Sequence, residues 1–307
     1  MVLLKALSEL KNETSRLKEF LVSHPLSSYF IMAFLFSWLC LIPYILWQWG
    51  ILPKSQNLAI FHVANVFVGP MLSAYIMIRT LEGKEAWKNI RKSIWQVRIG
   101  LKWYIFALLV IPAVMYIGMV IVNSGAPEFE GLSSKFFVTY PIYLVVVFFG
   151  GGPFPEEIGW RGFALPRMQK RFGALKATLL LGLLWACWHL PQFLTSAQHG
   201  GPGTHFNTFA TNFPIFIVCC IAISIILTWI YNKKQGNLFS VMLVHASINT
   251  FSMIQPYATN PSLKDMDVSF MIVFVLLALI ALISTRGKLG YDKNSYTVLA
   301  ENVNAGR

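Results

Sequence analysis

Eight stretches of this chain, at residues 29–49, 58–80, 103–122, 136–167, 175–194, 213–231, 238–256 and 268–285, are apolar enough to need hydrocarbon rather than water around them. About 20 apolar residues in helical form span a bilayer core, and a backbone there must satisfy its own hydrogen bonds. The expected fold class is therefore all-α: a polytopic membrane protein of about eight transmembrane helices. These spans consume most of the 307 residues and leave no room for a separate soluble domain of ordinary size. The chain divides into an N-terminal amphipathic segment at 1–25, a transmembrane domain at 26–286 and a polar tail at 287–307.

The formal net charge of +12 could suggest nucleic-acid binding, but the basic residues sit at the ends of apolar spans. That pattern belongs to the positive-inside rule and to anionic lipid headgroups, so the expected partner is membrane lipid and not nucleic acid. Among the 25 Lys and Arg, Lys54, Lys135 and Lys264 fall in one set of alternate loops and Arg161 falls inside a span. The remaining 21 occupy the other set, which includes both chain ends. Such asymmetry expects an even number of spans, both termini cytoplasmic, and a multi-pass protein of the cell membrane.

Leu3, Leu7, Leu10, Leu17 and Leu21 recur at three-, four- and seven-residue steps with lysines and glutamates between them, which suits an amphipathic helix lying at the interface until Pro25. Glu9, Glu13 and Glu19 interrupt any hydrophobic core of a signal peptide. All four cysteines lie in apolar segments, where a thiol acts as a small hydrophobe.

The fourth span departs from a plain membrane helix. It is longer than a bilayer requires and carries Gly150, Gly151, Gly152, Pro153 and Pro155 in its middle, which predicts a break and a fresh helix near Pro155. Directly after the break come Glu156, Glu157 and Arg161. Intramembrane charges cost several kcal/mol each on most scales, about 2.5 or more, and they face a protein interior or a wet cavity. Glu157 and Arg161, four apart with the acid first, are expected to neutralise one another. Glu156 is turned about 100° away on the same helix and is the freer carboxylate for proton chemistry.

Two later spans carry matching groups. WACWH in the fifth places His189 one turn after Trp185, which would shape and dry the pocket. HASIN in the seventh places His245 and Asn249 four apart on one helix face. A histidine can exchange protons near neutrality, and an asparagine amide can donate to a developing oxyanion. His62 and Asn65 in the second span read first as packing residues, with lining of the cavity as the second reading, and Gly69-Pro70 reads as a point of close helix approach.

EEIGWR, WACWH and HASIN together resemble the three motifs of the CPBP intramembrane protease family, Glu-Glu-x-x-x-Arg, Phe-x-x-x-His and His-x-x-x-Asn, in the family's order. That family contains the type II CAAX prenyl endopeptidases and the bacteriocin self-immunity (Abi-like) proteins. The departure is Trp185 where phenylalanine is usual. The resemblance implies an intramembrane endopeptidase with its core at 153–249. In it Glu156 and His189 activate a water, His245 and Asn249 stabilise the oxyanion, and Glu157, Arg161 and Trp185 support them. The implied partner is a membrane-associated peptide or protein, as in CAAX-type processing or the maturation of a bacteriocin or signalling peptide. Its cleavage is expected near the cytoplasmic side, where Arg167, Lys170 and Arg171 follow the site.

Family members have been called metalloproteases, and Glu156, His189 and His245 could bind a divalent metal such as zinc with an open fourth position. No His-Glu-x-x-His helix is present, which puts a metal-free mechanism first. Two other functions use the same residue types: an ion- or proton-coupled transporter, and a non-catalytic immunity or scaffold protein. Three protease-like motifs in order, with no visible internal repeat, weigh against the transporter.

Overall fold

Among the described residues, seven helices are long and apolar enough to cross a membrane, and an eighth apolar helix, Leu238–Ser252, is shorter. The computed structural model describes residues 16–53, 56–130, 133–198, 205–254, 257–260 and 263–292. The expectations for residues 1–15 and for the tail beyond 292 lie outside them. Residues 16–23 are helical, as the leucine spacing requires.

In chain order the helices are α1 (Pro25–Gln48), α2 (Ile60–Leu81), α3 (Gly83–Ile94), α4 (Leu101–Asn123), α5 (Ser134–Gly150), α6 (Pro153–Gly159, continuing through Trp160–Ala164 and Leu165–Phe172), α7 (Ala174–Trp188), α8 (His205–Lys233), α9 (Leu238–Ser252) and α10 (Leu263–Thr285). The chain is an all-α integral membrane protein. Its described β-structure is a short antiparallel ladder between β1 (Glu128–Phe129) and β2 (Ala258–Asn260).

Contacts between connections sort the helix ends into two groups. At one end Trp49 Nε1 donates to the Leu194 carbonyl at 2.9 Å, Ser196 N donates to Gln48 Oε1 at 2.8 Å, and β1 pairs with β2. At the other end Asn237 Nδ2 donates to the Gln96 carbonyl at 2.8 Å, Asn232 Nδ2 donates to the Leu289 carbonyl at 3.0 Å, and Arg167 pairs with Glu82. Successive spans therefore run in alternate directions. The second end collects the loops rich in Lys and Arg, and is called here the basic end.

The break in the fourth span falls where glycine and proline demand it. Gly152 adopts φ +105°, a conformation that L side chains rarely take, and a Cβ there would run into the Glu156 carboxyl group. The new helix starts at Pro153, two residues before the expected Pro155. Both prolines occupy its first turn, where their missing N–H groups cost nothing. The first helical bond runs from Glu156 N to the Gly152 carbonyl at 2.9 Å.

A turn of π-helix in α2 packs against the first segment of α6, just before a second π-turn within α6 itself. Phe67–Met71 in α2 contains Gly69 and Pro70, and Trp160–Ala164 in α6 follows Gly159. Such turns absorb an extra residue and re-aim the side chains around it. A Cβ on Gly159 would stand 2.7 Å from Pro70 Cβ and 2.8 Å from the Pro70 carbonyl oxygen, so the helices meet backbone to backbone. Gly69 in turn lies against the Ala33 carbonyl and Ser37 of α1. This contact sets the position of α6, and with it that of Glu156 and Glu157. Gly159→Ala is expected to destabilise the protein by about 1–3 kcal/mol through overpacking, read as a lower unfolding temperature in detergent together with reduced turnover.

Candidate active site

Glu157 and Arg161 project from consecutive turns of α6 and are fully buried, at 0% exposure each. Arg161 Nη1 donates to Glu157 Oε1 at 2.9 Å, the ion pair that the i,i+4 spacing predicts. Arg161 Nη2 donates to Ser224 Oγ of α8 at 3.1 Å, and its guanidinium lies over the Trp185 ring of α7, 5.2 Å from the centroid. The Glu157 oxygen that takes Arg161 also takes Nδ1 of His245 in α9, at 2.8 Å. Glu157 is thus more than a neutralised partner: it holds the His245 ring. No spacing in the sequence announces a contact across 88 positions.

Glu156 turns away from this knot, as the 100° step requires. Its carboxylate is not held by Arg161. Trp185 Nε1 donates to Glu156 Oε2 at 2.6 Å, and Trp160 Nε1 reaches the same oxygen at 3.4 Å. Here lies the physical content of a tryptophan at position 185: a phenylalanine would supply the ring without the donor. The Trp185 backbone carbonyl is 2.8 Å from His189 Nδ1. A carbonyl only accepts, so Nδ1 carries the proton and a neutral His189 keeps its Nε2 lone pair. Trp188 and Phe216 close edge-to-face on the His189 ring, with centroids at 4.7 and 5.0 Å. Asn249 Nδ2 donates to the Gly151 carbonyl at 3.1 Å, which ties the end of α9 to the break that precedes α6.

Glu156, Trp185, His189, His245 and Asn249 all line one cavity of about 520 Å³. The loop Gly150–Gly151–Gly152 forms part of its wall, so irregular backbone at membrane depth lines a cavity here. His62 lines it too, the second of its two readings, with its ring 5.0 Å from Tyr44 and no hydrogen-bond partner for Nε2. A lone histidine two residues into an apolar span carries no motif, so only the fold could bring it here. Asn65 does pack, donating to the His62 carbonyl. Cys219 and Cys220 lie on the wall, whereas Cys187 does not.

A metal finds no ligand set. Glu156, His189 and His245 share the cavity, yet among the described residues no three His, Cys, Asp or Glu converge to hold an ion. The residues present do not fit a bound zinc.

Residues 138–251 match the family model described as Type II CAAX prenyl endopeptidase Rce1-like. That range runs from α5 through α9 and takes in Glu156, Glu157, Arg161, Trp185, His189, His245 and Asn249. The chain is also 22% identical over 244 residues to CAAX prenyl protease 2 of Methanococcus maripaludis, covering 77% of this chain and 89% of the relative. Over this core the chain is similar to the CAAX-type intramembrane endopeptidases. The likeness supports an endopeptidase that works within the membrane.

Two substitutions separate the structural knot from the polar groups that line the cavity. Glu157→Ala leaves Arg161 and His245 buried and unpaired and is expected to destabilise the fold by about 3–5 kcal/mol, read as poor recovery and a lower unfolding temperature. Trp185→Phe keeps the ring but removes one hydrogen bond to the Glu156 carboxylate, worth about 1.5–3 kcal/mol. Its expected signature is a normal unfolding temperature with turnover reduced by about tenfold or more.

Proposed function

We propose that this protease hydrolyses a peptide bond in a membrane-associated peptide or protein with Glu156 as the general base. The observation that carries the reading is that Glu156, His189, His245 and Asn249, from three helices, line one cavity at membrane depth. A water held between the free edge of Glu156 and the Nε2 lone pair of His189 attacks the substrate carbonyl carbon, and its proton passes to Glu156. The carbonyl oxygen becomes an oxyanion, which takes hydrogen bonds from His245 Nε2–H and the second N–H of Asn249. An imidazolium at His245 is balanced by Glu157 behind it, a second-sphere carboxylate of the kind that orients catalytic histidines. The proton held by Glu156 then passes to the leaving amine, the C–N bond breaks, and the atoms balance.

The names of the matched proteins support a substrate of the CAAX type, a short C-terminal peptide on a lipid anchor. A bacteriocin-like or signalling peptide presents the same chemistry of an amide at the membrane surface. The distribution of Lys and Arg supports a topology with both termini in the cytoplasm.

Purified Glu156→Ala, assayed against a library of membrane-inserting peptides beside the parent protein, should lose at least about 10²-fold in cleavage rate, the typical contribution of a general base. Its unfolding temperature should stay unchanged. Cleavage at the parent rate by the purified variant rejects Glu156 as the base.

A further inference from the structure

Helix α3 lies where the chain turns back at the basic end, between the spans α2 and α4, and its two faces differ in character. Ala86 and Ile94 are buried against the protein, and Trp87 and Ile90 are half-buried. Lys84, Lys88, Arg91 and Lys92 stand at i, i+4, i+7 and i+8, which puts them on one stripe of the helix, and all four are exposed. Lys88 pairs with Glu85 at 2.6 Å, and among the described residues no ion pair engages the other three. Glu82, just before the helix, is committed to Arg167.

The surface around the stripe is that of a membrane interface. Trp95, 59% exposed, follows Arg91 by one turn, and Trp87 packs edge-to-face on Tyr75 of α2 with ring centroids 5.0 Å apart. Trp and Tyr gather at the level of lipid headgroups. In the last turn of α2, just before α3 begins, Arg79 and Thr80 border a groove whose other wall is Leu17, Lys18 and Leu21. Two cations beside two leucines suit an amphiphile, whereas a dissolved anion needs no apolar wall.

The inner face of α3 bears on the helices of the site. Ser93 Oγ donates to the Gly236 carbonyl at 2.6 Å and accepts from Leu238 N at 2.9 Å, and Asn237 Nδ2 donates to the Gln96 carbonyl at 2.8 Å. Asn237 also caps α9, its Oδ1 accepting from Ser240 N at 2.7 Å. The start of the helix that carries His245 and Asn249 is thereby tied to the end of α3. A Cβ on Gly162, next to Arg161 in α6, would stand 3.5 Å from Ile90 Cδ1 and 3.4 Å from Leu238 Cδ1, so α3, α6 and α9 meet there. The Trp95 ring lies 6.4 Å from that of Phe149, which adjoins the Gly150–Gly152 wall of the cavity. We infer that anionic phospholipid headgroups bind the stripe of Lys84, Lys88, Arg91 and Lys92 and, by holding α3, fix α9 and raise the activity of the site. A zwitterionic headgroup brings its own cation and gains little from the stripe, whereas neighbouring Lys and Arg attract an anionic membrane surface together. The effect on turnover rests on the proteolytic reading of the cavity; the binding of lipid does not.

The test compares the full-length protein in nanodiscs of phosphatidylcholine alone and of phosphatidylcholine mixed with phosphatidylglycerol. Phosphatidylglycerol is expected to raise the parent's unfolding temperature by several degrees and its cleavage of a membrane-inserting peptide by about threefold or more. The variant Lys84→Gln/Arg91→Gln/Lys92→Gln should match the parent in phosphatidylcholine and lose both gains. Lys170→Gln/Arg171→Gln, which removes charge elsewhere at the basic end, should keep them. Ser93→Ala, with the stripe intact, should keep the thermal gain and lose most of the gain in cleavage. Should the triple variant not be recovered, Arg91→Gln and Lys92→Gln carry the same readout singly, each losing part of the gains. A parent indifferent to phosphatidylglycerol overturns the inference and leaves the stripe to solvent or a soluble partner. An equal response of parent and triple variant overturns it by spreading the effect over all the basic loops, and a full cleavage gain in Ser93→Ala overturns the link to α9. Failure of the proteolytic reading would instead appear as parent-rate cleavage by Glu156→Ala, with the thermal response to lipid unchanged.

Discussion

A guanidinium buried at membrane depth governs much of this structure. Arg161 is wholly enclosed, and such a charge is tolerated only if its partners travel with it. Glu157 on the same helix supplies the countercharge, Ser224 takes a second N–H, and the Trp185 ring lies along the guanidinium. Because Glu157 Oε1 also takes His245, one set of polar contacts joins α6, α7, α8 and α9 at a single depth. The groups proposed to react with substrate lie next to this set on the same helices. Their geometry is inherited from an electrostatic requirement that the fold must meet in any case.

The second constraint is steric. Catalytic side chains on membrane helices can be placed only as accurately as the helices are, and lipid gives little hydrophobic drive to pack one helix on another. Here Gly159 meets Pro70 and Gly69 meets the Ala33 carbonyl, so α1, α2 and α6 approach at backbone distance. The π-turns beside these contacts redirect Trp160 toward Glu156 and leave Arg161 within reach of Glu157. Small residues, proline and helix irregularity thus act together to aim α6.

Hydrolysis inside a bilayer needs water at mid-depth without a leak across it. A cavity lined by Gly150–Gly152 and Glu156, with the buried Trp160, Phe163 and Leu165 packed along α6 beyond it, suits both needs. The same packing also separates the site from the basic residues that follow it in the chain.

What the sequence determined by itself were the features governed by local rules: hydrophobic spans long enough to cross, the alternation of basic loops, the Gly-Pro break in the fourth span, and the i,i+4 pairing of Glu157 with Arg161. Each follows from composition or from spacing along one helix. The three motifs also pointed to Glu156, His189, His245 and Asn249 as neighbours, through resemblance rather than through geometry. Tertiary structure alone decided that Glu157 orients His245, that the Trp185 indole holds the Glu156 carboxylate, that His62 joins the cavity wall, and that the zinc donors do not converge. These are contacts between helices far apart in the chain, set by how whole helices pack, and no periodicity within a single span encodes them.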